Sequence, residues 1–391
     1  MKGSEFTAHL RPSAREIGAP AWNACANPAS RPDPHPFTRY AFFDALEQSG
    51  SACTKTGWRP CHLSLETCGK VGALLPLYLK NHSQGEYVFD HGWADAFDRA
   101  GGRYYPKLQA SVPFTPVTGP RLLVGAGFDL DLARKALLDA AIQATQTTRA
   151  SSLHITFMTE DEWTLADSCG YLRRTDQQFH WTNRGYSSFD HFLAGLSSAR
   201  RKTLRKERAA VRASGIEFDW LTGNAITESH WDMFFEFYIC TGSQKWGRPY
   251  LTREFFSRVG AAMGEAIVLI LARRGRHAIA AALNFTGEQA LFGRNWGAIE
   301  YVPFLHFETC YYQAIDYAIA HRLERVEAGA QGPHKLLRGY SPTVTRSAHF
   351  IANPALREAV ANYLLRERAA VAQESDEMKA YLPFRQEDQS R

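Results

Sequence analysis

Apolar and polar residues recur along this chain with two periods, and these predict a succession of strands and helices. Spacings of three and four residues predict helices at 37–48, 130–148, 160–168, 188–213, 228–241, 252–263 and 355–373. Short apolar or alternating runs predict strands at 61–66, 71–80, 86–91, 153–157, 177–183, 216–221, 266–272, 277–285, 289–293 and 347–351. The Pro- and Ala-rich residues before 37 predict an irregular lead-in. Together these elements predict an α/β fold with mixed sheets.

The richest pattern lies between residues 290 and 339. A strand ends at a glycine-containing loop, a helix follows at 304–321, and a short strand at 323–327 leads to a polar turn. This order carries loop side chains to one end of a sheet, where α/β folds place their sites. Six polar side chains fall near the two junctions: His306, Glu308, Gln331, His334, Lys335 and Arg338.

The two halves of the chain share an order of elements, which predicts an internal duplication. In each half a helix precedes three meandering strands, a loop, a helix and a strand. The heptapeptides V-F-D-H-G-W-A at 88–94 and L-F-G-R-N-W-G at 291–297 match at apolar, Trp and small positions. We therefore predict a first domain at 37–184, a second at 185–374 that includes a basic helix at 198–212, and a flexible tail at 375–391.

Length and composition favour a soluble protein with two cores. The chain has 391 residues, a formal charge of +5, and apolar and charged fractions of 45% and 22%. Its seven cysteines are odd in number and contain no C-x-x-C pair, so the sequence predicts neither a disulfide framework nor a metal site. Without a signal-peptide pattern or a membrane-length apolar run, we expect a cytoplasmic location.

The polar turn is the first candidate site. Gln331, His334 and Lys335 follow glycines at 329 and 332, so amides and side-chain donors are available to hold a carbonyl or phosphate oxygen. The alternative is a left-handed turn with solvated polar residues. Short motifs of this kind leave both interpretations open.

His306 and Glu308 form the second candidate, at a loop-to-helix junction. Either side chain is chemically suited to take a proton from an attacking amine. The alternative makes Glu308 an acidic partner of the helix N-terminus and His306 a hydrogen-bonded core residue.

The basic helix is the third candidate. Arg201, Arg205, Arg208 and Arg212 recur at spacings of four, three and four, and two lysines, Lys202 and Lys206, lie beside them. Such a stripe suits the phosphates of a tRNA or of a nucleotide-linked donor. The alternative is a solvated helix face whose long side chains cover apolar surface.

A fourth set occupies the position in the first half that corresponds to residues 290–339. These residues are predicted to line the acceptor side of a cleft between the halves, together with Trp296 of the second half: His91, Trp93, Asp95, Tyr105 and Lys107. For Trp93, packing in the core is the alternative to stacking on a ligand.

Several catalytic signatures are absent from the sequence. The chain contains no G-x-x-x-x-G-K-[ST], G-x-S-x-G, H-E-x-x-H or well-placed G-x-G-x-x-G. Their absence argues against P-loop enzymes, nucleophile-elbow hydrolases, zincins and dinucleotide-binding enzymes.

Several of these segments resemble one family. The motifs are Q-F-H-W-T-N-R-G-Y, S-S-A-R-R-K-T-L-R-K-E-R, N-W-G, L-H-F-E-T-C-Y-Y-Q and G-A-Q-G-P-H-K-L-L-R-G, with Y-Y-P-K-L-Q and V-P-F-T-P-V-T-G-P-R-L in the first half. They resemble the bacterial FemAB-like predicted N-acyltransferases from about residue 22 to residue 372. The resemblance implies two tandem GCN5-related acetyltransferase (GNAT-like) domains. It also implies transfer of an acyl or aminoacyl group to an amine, with peptidoglycan precursors as the suggested acceptor.

The chain departs from the pattern of acetyl-CoA-dependent members of this fold. Their Q/R-x-x-G-x-G/A loop places amides around a pyrophosphate. Here Arg294, Asn295, Trp296 and Gly297 are followed by Ala298 and Ile299, so the final small residue is missing in register. This departure favours aminoacyl-tRNA or a larger acyl donor over acetyl-CoA. The expected co-substrate is an acyl-CoA or an aminoacyl-tRNA, and no tightly bound cofactor is expected.

The resulting hypothesis is a FemAB-like N-acyltransferase. Its catalytic residues are predicted to be His306, Glu308, Gln331 and His334, with Gln331 at the oxyanion. Its donor-binding residues are predicted to be Lys202, Arg205, Lys206, Arg294, Asn295, Lys335 and Arg338. The expected partners are a peptide or small-molecule amine, tRNA as a donor carrier, and a lipid-linked precursor contacted peripherally. The alternatives are a non-catalytic module that recognises cell-wall fragments or RNA, and an acetyl-CoA-dependent acetyltransferase of small amines.

Overall fold

The computed structural model of the chain describes residues 6–28, 35–245, 249–329 and 332–385. The elements up to residue 182 are β1 Thr7–Arg11, α1 Ala14–Ile17, α2 Ala19–Ala26, α3 Tyr40–Gln48, β2 Trp58–Pro60, β3 His62–Thr67, β4 Lys70–Leu75, β5 Leu77–Lys80, α4 His91–Arg99, β6 Lys107–Ala110, β7 Leu123–Val124, α5 Leu130–Thr148, β8 Ser152–Ile155, α6 Glu160–Ser168 and β9 Leu172–Thr182.

The remaining elements include one π-helical turn at Glu308–Tyr312 and a short 3-10 helix at Pro333–Arg338. The others are α7 Phe189–Ala194, α8 Ser198–Ala213, β10 Ile216–Thr222, α9 Glu228–Lys245, α10 Arg253–Met263, β11 Ile267–Arg274, β12 His277–Thr286, β13 Ala290–Ala298, α11 Leu305–Phe307, α12 Gln313–Ala320, β14 Arg325–Glu327, β15 Ser341–Ile351 and α13 Pro354–Ala380.

The first of two compact units comprises Met1–Asp176 and Val344–Ala372. One of its sheets has the order β1-β3-β4-β7, and a second contains β15, β8, β6, β5 and β2. The pair β6 and β8 is parallel, since the long helix α5 lies between them in the chain. The apolar face of α5, including Leu137, packs with Leu65 and Leu153 of the two sheets. This packing explains why α5 has the bounds that its spacing predicts.

The second unit comprises Gln177–Thr343 and Gln373–Arg391. Its strands follow the order β10-β11-β12-β13-β14-β9, and all pairs are antiparallel except β13 with β14. The helical segment from α11 to α12 connects this parallel pair. Its residues Tyr312 and Ile315 pack in one core with Val268 of β11 and Leu291 of β13. Each unit thus contains one strand–helix–strand crossover, which confirms the predicted tandem α/β architecture.

Several sequence predictions about local structure are wrong. No strand forms at 86–91: these described residues lead into α4, and the next strand is β6. The two similar heptapeptides therefore lie in different elements, since 88–94 starts a helix and 291–297 lies in β13. The predicted strand at 71–80 is divided into β4 and β5, which lie in different sheets, and the predicted helix at 188–213 is divided into α7 and α8. The predicted irregular lead-in contains β1, α1 and α2, because Trp22 and Cys25 bury an apolar face that the proline content obscured.

Candidate functional site

A fork between two parallel strands of the second unit positions the candidate site. β14 pairs with β13 only from Ala290 to Phe292, opposite Arg325 to Glu327. From Gly293 onward, β13 pairs only with β12 among the described residues. At the apex of the fork the two strands are still close, because a Cβ on Gly293 would lie 3.4 Å from the Glu327 carbonyl oxygen. The strands separate beyond this point, where their pairing ends. In the described part of the chain, the fork leaves β13 without a strand partner on this side from Gly293, and α9 contacts the strand further on, where the Ala298 amide donates a 3.0 Å hydrogen bond to Thr241 Oγ1. The short unpaired edge next to Gly293 is of the kind that can accept an extended ligand.

A β-bulge changes the direction of side chains along this open strand. Across from β13, Leu283 pairs with Asn295 and Asn284 pairs with Gly293, which leaves Arg294 as the additional residue. Bulges redirect side chains and are frequent beside functional sites. Arg294, Asn295 and the following Trp296 are all half-buried. The structure therefore places these three predicted binding residues at the fork.

The π-helical turn brings residues together that would diverge on a regular α-helix. His306 and Tyr311 are five positions apart, and their ring centroids lie 5.3 Å apart. A π-turn holds more residues than an α-turn, so this spacing falls on one face. The Tyr311 hydroxyl lies 2.9 Å from Nε2 of His334, and the rings of His306 and His334 are 6.4 Å apart. The structure thus brings together two of the predicted catalytic histidines.

Tyr311, which contacts both histidines, is a residue that sequence reasoning did not single out. Burial raises the pKa of its phenol well above the ordinary value, so the hydroxyl remains a hydrogen-bond donor or acceptor at neutral pH. Its position five residues after His306 does not match an α-helical period. The π-turn places His306 and Tyr311 on one face, and such a turn has no simple sequence signature.

Lys335 lies at the β14 side of the fork. The 3-10 helix buries this side chain, and its Nζ donates a 3.1 Å hydrogen bond to the Gly329 carbonyl, two residues beyond β14. Burial lowers the pKa of the amine to about 8. Lys335 therefore supplies a cation at neutral pH that is only partly solvated, which strengthens its interaction with a developing negative charge.

Gln331, predicted to stabilise the oxyanion, lies outside the described residues. Its assignment stays a prediction.

The side chain of Glu308 is held by residues of α8 and α12. Its two carboxylate oxygens accept hydrogen bonds from Arg208, at 2.9 and 3.2 Å, and one oxygen also accepts from Nε2 of Gln313 at 2.8 Å. Burial raises the pKa of this carboxyl group, while the Arg208 charge opposes the shift. The arrangement fixes the helix that carries His306 to α8.

Arg338 makes a second buried connection to the same helix. Its Nη2 lies 2.9 Å from both carboxylate oxygens of Glu207, and its Nη1 donates to the His334 carbonyl oxygen. The guanidinium also stacks over the ring of Phe307, 3.4 Å from its centroid. Arg338 therefore holds the turn that carries His334 and Lys335 against α8 and α11.

The basic helix does not present all its charges on one face. Arg208 and Glu207 are buried in the contacts described above, so the predicted stripe of four arginines is interrupted. Four cations of α8 are exposed: Lys202, Arg205, Lys206 and Arg212. The hydrophobic residues Leu204 and Val211 set this orientation, because they are buried on the inward face.

The first-half residues occupy different environments in the first unit. His91 and Asp95 are exposed on α4, whereas Trp93 is buried and packs edge-on against His349 at 5.0 Å. Tyr105 is half-buried, and its hydroxyl lies 2.8 Å from that of Ser83. The structure therefore brings Trp93, but not the two exposed residues, into the core of the unit.

Lys107 belongs to a buried charge network. Its Nζ lies 2.7 Å from Glu86 Oε2 and 2.5 Å from Asp90 Oδ2, and Lys80 lies 2.9 Å from Glu86 Oε1. All four side chains are almost completely buried. Of this network, sequence reasoning singled out only Lys107. The other members lie on β5 and in the loop before α4, and the pairing of β5 with β6 brings the two lysines together.

Two histidines extend this network. Nδ1 of His154 lies 2.8 Å from Nδ1 of His349, so one ring donates to the other. Burial lowers the pKa of His154 to about 3, with Lys107 acting in the same direction. Burial and His154 lower that of His349 well below its ordinary value. Both rings are therefore neutral in the folded protein at neutral pH.

This pair predicts a loss of stability in mild acid. Below about pH 6.5 the unfolded chain binds protons that the folded protein excludes, so the free energy of unfolding falls by about 1.4 kcal/mol per pH unit for each histidine. We expect the free energy of unfolding of His349→Gln to depend less steeply on pH between 6.5 and 5, by about the 1.4 kcal/mol per pH unit that one histidine contributes. Urea denaturation of both proteins at several pH values measures it. The same pH dependence of the unfolding free energy in both proteins would contradict the conclusion that His349 is buried in its neutral form.

No helix among the described residues has the length and apolar character needed to cross a bilayer.

The parallel strand–helix–strand crossover that occurs in each unit is the arrangement expected of two tandem GNAT-like units. A model of the FemAB-like family, described as peptidoglycan biosynthesis/recognition, matches residues 13–386. The chain belongs to this FemAB-like family, as its motifs suggested. The description of this family refers to the biosynthesis or recognition of peptidoglycan.

One solved structure shows the same fold at low sequence identity, and two others are similar over most of their length. The crystal structure of FemX is 12% identical, with a TM-score of 0.54, and the match covers 91% of this chain and 100% of that one. A tandem GNAT protein from the clavulanic acid biosynthesis pathway is 13% identical, with a TM-score of 0.49 and coverage of 90% and 99%. A conserved protein of unknown function from Bacteroides thetaiotaomicron is 12% identical, with a TM-score of 0.49 and coverage of 87% and 98%. No curated protein matches the chain.

Proposed function

We propose that this protein is a cytoplasmic N-acyltransferase that transfers an acyl or aminoacyl group to an amine of a peptidoglycan precursor. The observation that carries the proposal is the fork between β13 and β14, with His306, His334 and Lys335 grouped on the segments that follow its two strands. The part of the β13 edge that has no strand partner among the described residues holds an extended donor. A cationic group nearby stabilises the carbonyl oxygen of the donor, and a basic group accepts the proton of the amine.

In the proposed reaction, the amine attacks the activated carbonyl carbon and the donor's oxygen or sulfur leaves. Lys335, as an ammonium, stabilises negative charge on the carbonyl oxygen. His306 removes the proton of the attacking amine, because both oxygens of Glu308 are engaged by Arg208 and Gln313. The rest of the rate acceleration comes from positioning, because the fork holds the amine and the donor next to each other.

The donor in this proposal is an aminoacyl-tRNA or an acyl-CoA. The chain passes from β13 through a loop without glycine to Phe304 and α11, so it offers no glycine-rich cradle for a pyrophosphate at this helix start. This feature favours aminoacyl-tRNA. Arg294 and Asn295 at the bulge, with Lys335, are the proposed donor contacts.

Transfer assays with matched donors test the proposal. Purified protein is supplied with charged tRNA or acyl-CoA and a peptidoglycan precursor peptide carrying a free amine, and the acylated peptide is measured by mass spectrometry. Product that depends on one donor and on His306 supports the proposal. Precursor binding without product from either donor would instead favour a recognition module, for which Trp296, Phe307 and Tyr311 around His306 provide an aromatic surface.

His306→Gln tests the assignment of the base. We expect kcat to fall by about 10²–10⁴-fold, because glutamine cannot accept the proton. The acidic limb of the dependence of kcat/KM on pH should disappear. The matched control is His321→Gln, which replaces a histidine that stacks on Tyr317 elsewhere in the same unit. An unchanged acidic limb in His306→Gln would assign the base to another group.

A further inference from the structure

One exposed surface of the second unit combines cations with apolar side chains. The loop between β13 and α11 presents Ile299, Tyr301 and Phe304, which are 46%, 92% and 38% exposed. Tyr301 is the most exposed large hydrophobic residue among those the structure describes. Single exposed apolar residues are common, but three within six positions form a local patch.

The C-terminal end of α8, which carries the exposed Arg212, adjoins this loop, and Lys202, Arg205 and Lys206 lie further back along the same helix. Val211 of α8 packs in one small core with Leu305 and Val302, directly beside the exposed residues. Arg274 connects the two segments, since its Nε donates to the Ser214 carbonyl at the end of α8 and its Nη1 pairs with Glu300. Loop and helix therefore belong to one continuous surface of this unit.

The charge of this surface is predominantly positive. Its exposed cations are Lys202, Arg205, Lys206 and Arg212. The acidic side chains beside them are Asp190, which pairs with Arg205, Glu300, which pairs with Arg274, and the half-buried Asp316, which pairs with the buried Arg208 and also interacts with Arg212. The buried acid Glu207 is neutralised by Arg338 and does not reduce the outward charge.

We propose that this surface, formed by α8 and the 299–304 loop, docks the protein on an anionic lipid bilayer. Lysines and arginines at a membrane surface attract anionic headgroups, and an exposed aromatic with aliphatic neighbours inserts at the boundary of the acyl chains. A nucleic acid would use the same cations, but it would gain little from Ile299 and Phe304, so the apolar loop favours lipid. The role rests on the proposed function and deepens it.

Docking in this way would fix the position of the site relative to the bilayer. The inserting loop leads directly into α11, which carries His306, and α8 holds the turn of Lys335 through Arg338. The surface therefore selects acceptors that are attached to a lipid, whereas soluble acceptors do not need it.

Vesicle sedimentation with the full chain tests the proposal. The probes are vesicles of equal parts phosphatidylglycerol and phosphatidylcholine, and vesicles of phosphatidylcholine alone. We expect binding to the anionic vesicles only, weakened by salt. Lys202→Gln with Lys206→Gln should weaken binding about 25-fold, the product of about fivefold for each charge. Ile299→Ser with Tyr301→Ser should weaken it at least about tenfold.

Matched controls separate this surface from general effects. Leu132→Ser with Lys135→Glu changes an exposed apolar residue and an exposed cation on α5 of the first unit, and it should bind vesicles normally. Equal binding to neutral vesicles, or unchanged binding of the loop variant, would overturn the proposal. Retention of a hairpin RNA that depends on Lys202 and Lys206, without vesicle binding, would also overturn it and assign the helix to RNA.

A turnover measurement distinguishes this proposal from the proposed function. The loop variant Ile299→Ser with Tyr301→Ser should acylate a soluble precursor peptide at the native rate and a vesicle-bound precursor more slowly. Vesicle binding without any transfer would retain the docking surface and reject the enzyme. Transfer to both acceptors at native rates by the loop variant would reject the docking surface alone.

Discussion

Replacing Lys335 by alanine is expected to reduce acyl transfer by about 10²–10³-fold while the protein remains folded. The buried ammonium is the proposed partner of the developing oxyanion, and removing such a donor usually costs this much. Single-turnover assays at saturating donor measure the effect. Lys379→Ala, which removes an exposed lysine of the same unit, serves as the control and should retain native activity.

The pH dependence of transfer gives this prediction a second readout. Because burial lowers the pKa of Lys335 to about 8, the cation is lost as pH rises through that value, and activity should fall with it. Lys335→Arg keeps its charge over the whole range, so its residual activity should lack this alkaline limb. Activity of Lys335→Ala within fivefold of native would remove Lys335 from the chemistry.

Replacing Lys107 by methionine is expected to destabilise the protein by about 3–5 kcal/mol. The change leaves Asp90 buried without its cation and removes one of two cations from Glu86. Breaking a buried pair from one side costs more than removing the pair. For a unit of this size, Tm should fall by roughly 6–20 °C.

The companion variant identifies the origin of the loss. Lys107→Met with Asp90→Asn removes both charges of one pair and leaves Lys80 to neutralise Glu86, so it should recover more than about 1 kcal/mol. Lys70→Met, on an exposed position of β4, should change stability by less than about 0.5 kcal/mol. If Lys107→Met changed the free energy of unfolding no more than Lys70→Met does, the buried network would not contribute to stability.

Much of the second unit was predictable because its signals are local. The helices at 228–241 and 252–263 and the strands at 266–272 and 277–285 have clear apolar periods, and each occurs in the structure with small changes in its bounds. The polar turn and the 304–321 helix were also recognisable from residue order. In the first half, by contrast, the apolar residues at 87–89 suggested a strand, whereas Asp90 directs its carboxylate to Lys107 and α4 begins there.

The sequence by itself determined the α/β class, the family and, through the family resemblance, the tandem fold, together with the segment that carries His306, His334 and Lys335. These properties follow from periodicity and motifs, which reside in neighbouring residues. Tertiary structure alone decided which charges of α8 face solvent, that Glu308 pairs with Arg208, and that β13 separates from β14 at Gly293. Such outcomes depend on contacts between residues distant in the chain, where burial requires each charged group to find a partner.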